Sequence, residues 1–485
     1  METLRLWIIP PPVFYLEPAA RSPGAHPAVV LNWFFVAWGD FAVNWGWLLT
    51  RSIVILTLLV LLFLSQRFWY RALWRWTAGF RSVVVRVALR LVYLSAIIMV
   101  IASVAEGLIR IGRARYLPRA TSITSLAALW LLSALFAYLA VRLTHAVDRG
   151  WHWLRARSRA RRLAQRQQVP GATPERLADP SRRYLFKTAT ALAGATPFLG
   201  AVYGFAAERL KYQVRRVELP IPNLPPALDG LRIAQLSDIH LNGYMTREQV
   251  RRAVAMANEF APDLAVVTGD FITSAGDPLA DCVEELRCLD APLGIWGCNG
   301  NHEVYARAEE AAQRLFAQAG MKLLRQQNVQ LVWRGAAFNL IGVDYQRERT
   351  PGGHRVQMLP DVATLVRRDV PNILLSHNPN SFNRAAELGI ELSLAGHTHG
   401  GQIQVEILDH RFSPARFMTD YIAGLFRRPM FASSRLTPAA AQGSSSVHAP
   451  QPASLLYVNR GLGTVGPPVR LGVPPEISHL VLRRA

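Results

Sequence analysis

Cysteine is scarce in this chain, and the three cysteines, Cys282, Cys288 and Cys298, do not have metal-ligand spacing. A thiolate metal centre is therefore not expected. The three cysteines are expected to be unpaired, buried thiols. Acidic side chains are also scarce in the apolar first half, where Asp40 and Glu106 are the main ones within apolar segments. So few carboxylates leave little for an ion path, which argues against a transporter.

Negative charge is in deficit, with 33 acidic against 54 basic residues and a formal net charge of +21. Such a surplus is compatible with nucleic acid, anionic lipid or cytoplasmic loops of a membrane protein. The arginines cluster between apolar segments, which favours loops. Nucleic-acid cleavage would need basic, aromatic-lined grooves in the C-terminal half, and most arginines lie elsewhere. No nucleic-acid partner is expected.

The first half of the chain contains apolar runs long enough to cross a bilayer, which takes about 20 residues. Four segments qualify: Trp47–Ser65, Leu91–Ile109, Ile123–Val141 and Thr188–Ala207. A weaker one, Val29–Trp45, contains Asp40. Residues 1–207 are therefore expected to form a transmembrane helical region of four to five spans in the cell membrane, with phospholipid as its partner.

Arginine placement predicts the orientation of these spans. The segment 142–187 is dense in arginine, Arg67–Arg90 is also rich, and Arg110–Arg119 is poorer. Cytoplasmic loops carry the excess of basic residues, so the two rich segments are expected inside. The last span then leads outward, through a juxtamembrane linker at 208–230, to a domain outside the cytoplasmic membrane.

Ser181–Lys187 resembles a twin-arginine export signal with Leu and Phe exchanged, and it precedes the last apolar run, where such a signal must sit. The twin-arginine export machinery is thus one candidate partner. Ordinary cytoplasmic anchoring arginines are the equally favoured alternative.

The C-terminal half contains five polar clusters, each directly after a short apolar run. The runs predict strands, and ligands at the carboxyl ends of several strands can converge on one point. Carboxylate, imidazole and amide oxygen suit Mn, Fe, Zn or Co, and they suffice for two ions sharing a bridge. The clusters contain Asp238 and His240, then Asp270, then Asn301 and His302, then His377, and finally His397 and His399.

The order of these five clusters resembles the calcineurin-like metallophosphoesterase family, in its membrane-anchored branch. The resemblance covers residues 231–485 and implies a four-layer α/β/β/α sandwich, in keeping with strands that alternate with helical segments. A low-complexity insert at about 428–453 interrupts this domain and has little to bury.

The resemblance also implies a role for each motif residue. Two divalent ions would share Asp270 as a bridge, and His302 would donate a proton to the leaving group or orient the substrate. Asn242 and Asn378 are weaker candidates for contact with the substrate phosphate. The remaining ligands would divide into Asp238, His240 and His399 for the first ion, and Asn301, His377 and His397 for the second.

The expected function is that of a membrane-anchored dimetal phosphoesterase, which hydrolyses a phosphodiester or diphosphate bond with a metal-bridging hydroxide, on a lipid-linked or other phosphate substrate. Two alternatives stay open. A domain facing the cytoplasm would suit UDP-2,3-diacylglucosamine hydrolysis in lipid A synthesis. A catalytically idle metal-binding scaffold is the other, and the intact His302 argues against it.

Overall fold

The computed structural model describes residues 44–112, 121–165, 180–350, 352–407, 410–417, 419–430 and 453–485. The expected span Val29–Trp45 therefore lies almost wholly outside the described residues, as does most of the insert at 428–453.

Four long helices precede the C-terminal domain, and each is long and apolar enough to cross a membrane. They contain the expected spans, except that the last helix ends at Ala206 rather than Ala207, and they extend beyond the spans at the other ends. The helices are α1 (Trp45–Ala78), α2 (Val83–Gly112), α3 (Thr121–Gln165) and α4 (Pro180–Ala206).

These helices form an up-and-down bundle. The Trp69 indole of α1 donates to the Ala134 carbonyl of α3, and Trp130 donates to Gln66, so α1 and α3 run parallel. Thr144 of α3 lies 3.2 Å from Thr190 of α4, where the two helices run in opposite directions.

The start of α1 and the end of α4 both touch the C-terminal domain. The Asn44 amide donates to the Gly352 carbonyl, and the Arg470 amide donates to the Gly204 carbonyl of α4. The turn between α1 and α2 and the arginine-rich C-terminal end of α3 therefore lie at the end of the bundle remote from that domain.

The C-terminal domain contains two six-stranded sheets and a two-stranded hairpin. The first sheet has the order β1-β14-β2-β3-β4-β5 and the second β12-β13-β9-β8-β7-β6, while β10 pairs with β11. The strands are β1 (Gln213–Ile221), β2 (Arg232–Leu236), β3 (Leu264–Thr268), β4 (Ile295–Cys298), β5 (Lys322–Leu323), β6 (Gln327–Trp333), β7 (Ala336–Gly342), β8 (Asn372–Leu375), β9 (Leu392–Ala395), β10 (Val405–Ile407), β11 (His410–Phe412), β12 (Gly424–Pro429), β13 (Ala453–Val458) and β14 (Glu476–Arg484).

Helices cover the outer faces of both sheets, which gives the expected four-layer α/β/β/α sandwich. The inner core joins residues of both sheets, such as Ile233 and Val266 of the first with Leu340 and Leu392 of the second. The helices are α5 (Arg247–Asn258), α6 (Leu279–Leu286) and α8 (Glu309–Gln318) on the first sheet, α9 (Phe382–Leu388) on the second, and the short α7 (Asn301–Ala306).

Two local features differ from the sequence expectations. Residues 208–230, expected as a linker, contain β1, which pairs in parallel with β14 along its whole length. Cys282 and Cys298 are buried as expected, but Cys288 is exposed. The segment between bundle and sandwich is thus part of the first sheet, and it holds the two regions close together.

Candidate dinuclear metal centre

The expected metal ligands all follow the carboxyl ends of parallel strands. Asp238 and His240 follow β2, Asp270 follows β3, and Asn301 follows β4 in the first sheet. The remaining ligands follow β8 and β9, which are also parallel neighbours. Because the two sheets face each other, these strand ends open into one shared cleft. The residues contributed by the second sheet are His377, His397 and His399.

The ligand atoms form two groups that share Asp270. In the first group Asp238, His240, Asp270 and His399 each offer an atom within 4.8 Å of the others, and in the second Asp270, His377 and His397 do. All except His397 are buried. One shared carboxylate between two groups is the arrangement that a dinuclear site requires.

The nitrogen and oxygen atoms that face one another in the two donor groups lie close together. Nε2 of His240 lies 3.1 Å from Nε2 of His399 and 3.5 Å from Oδ2 of Asp270. Nε2 of His399 lies 3.3 Å from Oδ1 of Asp238. In the second group, Nε2 of His377 lies 3.0 Å from Oδ2 of Asp270.

Backbone hydrogen bonds set the direction of two of the rings. Nδ1 of His240 lies 3.1 Å from the Ile272 carbonyl, and Nδ1 of His377 lies 2.6 Å from the Thr268 carbonyl. A carbonyl only accepts, so each Nδ1 carries the proton in the neutral ring, and Nε2 carries the lone pair. Metal-bound histidines are commonly oriented by such a bond on the other ring nitrogen.

Five of the seven candidate ligands have left-handed backbone conformations, which residues other than glycine rarely adopt. The φ angles are positive at Asp238, Asp270, His397 and His399, with values of 49°, 57°, 74° and 52°. His240 has φ 50°. Strained backbone of this kind persists where the surrounding structure requires it, and it concentrates at functional sites.

Two glycines let the ligand loops approach each other. A Cβ atom at Gly300 would lie 2.1 Å from Oδ1 of Asp270, and one at Gly396 would lie 2.3 Å from Oδ2 of Asp238. Any larger residue would displace those carboxylates, so the glycines of the Gly-Asn and Gly-His motifs serve packing at the site rather than turn geometry alone.

Burial and charge act on the ligands in opposite ways. Burial lowers the pKa of His240 and of His397 to about 3, and it lowers the pKa of His399 well below its usual range. Burial raises the pKa of Asp238 to about 6. Burial opposes a proton on His377 as well, but Asp270 raises its pKa to about 10.

The donor set fits a pair of divalent cations. Three neutral imidazoles and two carboxylates face one cleft, and neutral imidazole and carboxylate are the protonation states that bind metal. The amide oxygen of Asn301 and Nδ1 of His399 are buried and have no hydrogen-bond partner among the described residues. Buried polar atoms without partners are costly, and a cation would satisfy the Asn301 oxygen and separate the facing Nε2 atoms.

His302 stands beside the two groups and belongs to neither. Its Nδ1 lies 2.6 Å from the Thr273 carbonyl, and its amide donates to Oδ1 of Asp270 over 2.9 Å. The ring is half-buried and packs edge-on against His240, with centroids 4.7 Å apart. The bond to Thr273 fixes the ring and leaves Nε2 as the nitrogen available to a substrate.

Two further residues belong to this neighbourhood although sequence reasoning missed them. The Glu303 carboxylate is buried and accepts from four backbone amides, those of residues 270, 271, 272 and 300. It thereby ties the loop of Asp270 to the turn before Asn301. The signal was present, since Glu303 is the third residue of a helix and reaches back to its N-cap. Tyr345 packs against His397, with ring centroids 5.4 Å apart.

Asn242 and Asn378 lie in loops next to the cleft, and their side chains hold those loops. Oδ1 of Asn242 accepts from the amides of Tyr244 and Met245. The Asn378 amide group donates to the Gln346 carbonyl over 2.9 Å.

Residues 231–401 match the family model of calcineurin-like phosphoesterases. Among relatives, a transmembrane protein with metallophosphoesterase domain from Danio rerio is 31% identical over 59% of this chain and 60% of that protein. The UDP-2,3-diacylglucosamine pyrophosphatase LpxG of Chlamydia trachomatis serovar D is 27% identical over 58% of this chain and 93% of that protein. A solved dimetal phosphatase from Danio rerio has 14% identity and a TM-score of 0.26, over 37% of this chain and 85% of that one.

The match spans less than two thirds of the Danio rerio transmembrane relative. The described residues nevertheless include four helices long and apolar enough to cross a membrane, and the family model matches the segment that contains all the candidate metal ligands. The chain is a membrane protein, and its residues 231–401 match a calcineurin-like phosphoesterase domain.

Proposed function

We propose that this chain is a membrane-anchored, metal-dependent phosphoesterase that hydrolyses a phosphodiester or diphosphate bond of a lipid-linked substrate. The observation that carries the proposal is the pair of buried donor groups sharing Asp270, with His302 fixed beside them. The helical bundle supports the lipid assignment, because it docks directly on the sandwich and keeps the cleft near the membrane surface.

Seven residues would hold the two ions, with Asp270 between them. When bound, divalent ions of this kind lower the pKa of a water molecule and neutralise charge on phosphoryl oxygens. Manganese, iron, zinc and cobalt all suit such a donor set. The division follows the two groups, with Asn301 completing the second, so the ligands are Asp238, His240 and His399 on one side and Asn301, His377 and His397 on the other.

The protein's own contribution is to position these groups and to supply a proton. Glu303 holds the Asp270 loop through four amide bonds, so the bridging carboxylate keeps its place. His302 is aligned by Thr273 and lies at the edge of the cleft, where its Nε2 can protonate the leaving oxygen. A phosphate ester needs that proton because an alkoxide is a poor leaving group.

The test uses the full-length protein in detergent with manganese. It should hydrolyse a soluble aryl phosphodiester slowly and a lipid-presented diphosphate faster, and EDTA should abolish both activities. Hydrolysis that survives EDTA would refute the metal-dependent mechanism. A preference for soluble nucleotides over every lipid phosphate would refute the lipid assignment alone.

The proposal includes an extracytoplasmic catalytic domain. The turn between α1 and α2 and the arginine-rich C-terminal end of α3 lie at the far end of the bundle from the sandwich, and basic segments face the cytoplasm. A C-terminal alkaline phosphatase fusion should therefore be active and a cytoplasmic fluorescent reporter dark. The opposite pair of results would reverse the orientation. Export through the twin-arginine machinery, at Ser181–Lys187 on the start of α4, is a further part of this proposal.

One alternative has a specific observation in its favour. The Chlamydia trachomatis relative is a UDP-2,3-diacylglucosamine pyrophosphatase, and it is matched over 93% of its length. Hydrolysis of that nucleotide-linked diphosphate by a domain facing the cytoplasm is the second candidate function. The reporter fusions separate the two candidates, because a cytoplasmic domain is what the second requires. A catalytically idle scaffold remains disfavoured by the intact His302.

A further inference from the structure

A large apolar groove lies between the membrane helices and the sandwich. Its volume is about 1310 Å³, above the roughly 300–1,000 Å³ of ordinary small-molecule pockets. One wall comes from α3 and α4, and the other comes from the segments around the β10–β11 hairpin and the loop before β14. Representative lining residues are Leu132, Phe136 and Leu199 on the membrane side, with Val405, Phe417 and Val469 opposite.

The groove runs along the apolar segments of α3 and α4 that are long enough to cross a membrane. Leu129 and Ala140 lie about 12 Å and 29 Å along α3 from its start on the sandwich side. On α4 the lining runs from Tyr203 back to Thr196, about 15 Å before the end of the helix. An apolar slot at this depth is reached from the hydrocarbon layer, where lipid chains are the abundant apolar molecules.

The sandwich wall of the groove presents large apolar side chains to the outside. Phe417 is 94% exposed and Phe412 is 57% exposed. Exposed aromatic patches of this kind mark membrane or ligand contact. The wall is held firmly against α4, because a Cβ atom at Gly204 would lie only 2.3 Å from the Val469 side chain.

A smaller polar pocket of about 580 Å³ continues the groove toward the metal centre. Ser413 and Arg416 line both cavities, and Gly400, which follows the candidate ligand His399, lines the polar one. Arg460 lines it as well and pairs with Glu476 over 3.4 Å. The pocket also contains one carboxylate, that of Asp420. The apolar groove and the polar pocket thus meet at Ser413 and Arg416, and the polar pocket reaches Gly400, the residue after His399.

We propose that the groove binds an acyl chain of a membrane lipid whose phosphate-ester headgroup occupies the polar pocket beside Arg416. The apolar walls of the groove suit an acyl chain. The arginine residues of the polar pocket, which reaches Gly400 beside His399, suit a phosphate group. The inference rests on the proposed function, and it adds the place and the manner in which a lipid substrate is held. Arg416 is assigned as a headgroup-positioning residue.

The test is photolabelling of the full-length protein in phosphatidylcholine nanodiscs. The discs contain a trace of phosphatidic acid with a diazirine at the end of one acyl chain, and labelled residues are mapped by mass spectrometry. Labels should concentrate on the groove, including residues of the sandwich wall such as Val469. The Ala201→Trp variant fills the α4 wall and should lower groove labelling about tenfold, as for loss of burial of roughly two methylene groups.

Matched controls make the result specific. Ala195 is exposed on the same helix and does not line the groove, so Ala195→Trp should leave labelling unchanged. Arg416→Gln should lower labelling by the phosphatidic acid about fivefold and leave labelling by the equivalent diacylglycerol unchanged. Labels spread evenly over the outer surfaces of the helices would overturn the proposal. So would dimers without retained lipid in native mass spectrometry, which would assign the groove to a second copy of the chain.

Failure of this inference can be told apart from failure of the proposed function. Hydrolysis of the soluble aryl phosphodiester by the wild-type protein does not require the groove. An active protein with an unlabelled groove would refute the lipid site alone, whereas a labelled but inactive protein would refute the phosphoesterase assignment and leave the lipid site standing.

Discussion

Replacing Arg470 by methionine should destabilise the sandwich strongly. The guanidinium is fully buried and donates to the carbonyls of Arg460, Gly461, Gly463 and Val473. Burial lowers its pKa to about 10, so it stays charged at neutral pH. Its hydrogen bonds hold the loop of residues 460–473 together, and this loop packs against Asp238 and α4.

Two opposing effects decide the size of the change. Methionine removes the cost of burying a charge, which favours the variant, but it leaves several buried carbonyls without their donor. Breaking a buried charged network costs about 3–5 kcal/mol, and each unsatisfied group costs about 1–3 kcal/mol. The carbonyls left without a donor therefore outweigh the removed cost of burying a charge, and the net destabilisation should be about 3–5 kcal/mol. For a domain of about this size, that corresponds to a fall in Tm of roughly 6 to 20 °C.

The assay is thermal unfolding of the full-length protein in detergent, followed by tryptophan fluorescence. The control is Arg483→Met, which removes an exposed arginine paired with Glu218 over 2.9 Å. Surface pairs contribute about 0–1 kcal/mol, so this variant should melt within a few degrees of the wild type. If Arg470→Met melts at the same temperature as Arg483→Met, the interpretation of Arg470 as a structural support is wrong.

Three further changes test the site and its surroundings. His302→Ala should keep full metal content and lose turnover about a hundredfold, the loss of a general acid; an equal loss of metal would show that His302 is a ligand. Glu303→Gln should weaken manganese affinity about 10- to 100-fold in a calorimetric titration, because two of the four amides lose their acceptor, while the exposed Glu310→Gln should not. Burial raises the pKa of Glu391 to about 7 from its ordinary 4.5, so the stability it contributes is fully present below pH 4.5 and is lost as pH rises through 7. Glu391→Gln should flatten the fall in Tm over this range, and an unchanged pH profile would contradict the assignment.

The sequence predicted the strands that carry the ligands because ligand and strand are adjacent in the chain. The run before Asp238 contains Leu231, Ile233, Ala234 and Leu236, all buried, and it forms β2. Strands β6 and β7, which follow each other directly in the chain, pair as an antiparallel hairpin. The helical segment after Asn301 is divided in two, because Arg307 has φ 54° and ends α7 before α8 begins.

What the sequence did not predict depends on distant contacts. Strand β1 includes Pro220 and several charged residues, a pattern that only an edge strand tolerates, and its pairing partner β14 lies more than 250 residues away. The role of Glu303 requires the Asp270 loop to fold over it. The apolar groove requires the bundle to dock on the sandwich, which no periodicity in either segment indicates.

Metal stoichiometry tests the central claim most directly. The full-length protein is dialysed against manganese at neutral pH and its metal content is measured by elemental mass spectrometry, beside the Asp270→Ala variant. The wild type should bind two ions per chain, and Asp270→Ala should lose both, because its carboxylate is shared by the two donor groups. A wild type that binds no manganese, or an Asp270→Ala variant that still binds two ions, would contradict the dinuclear site.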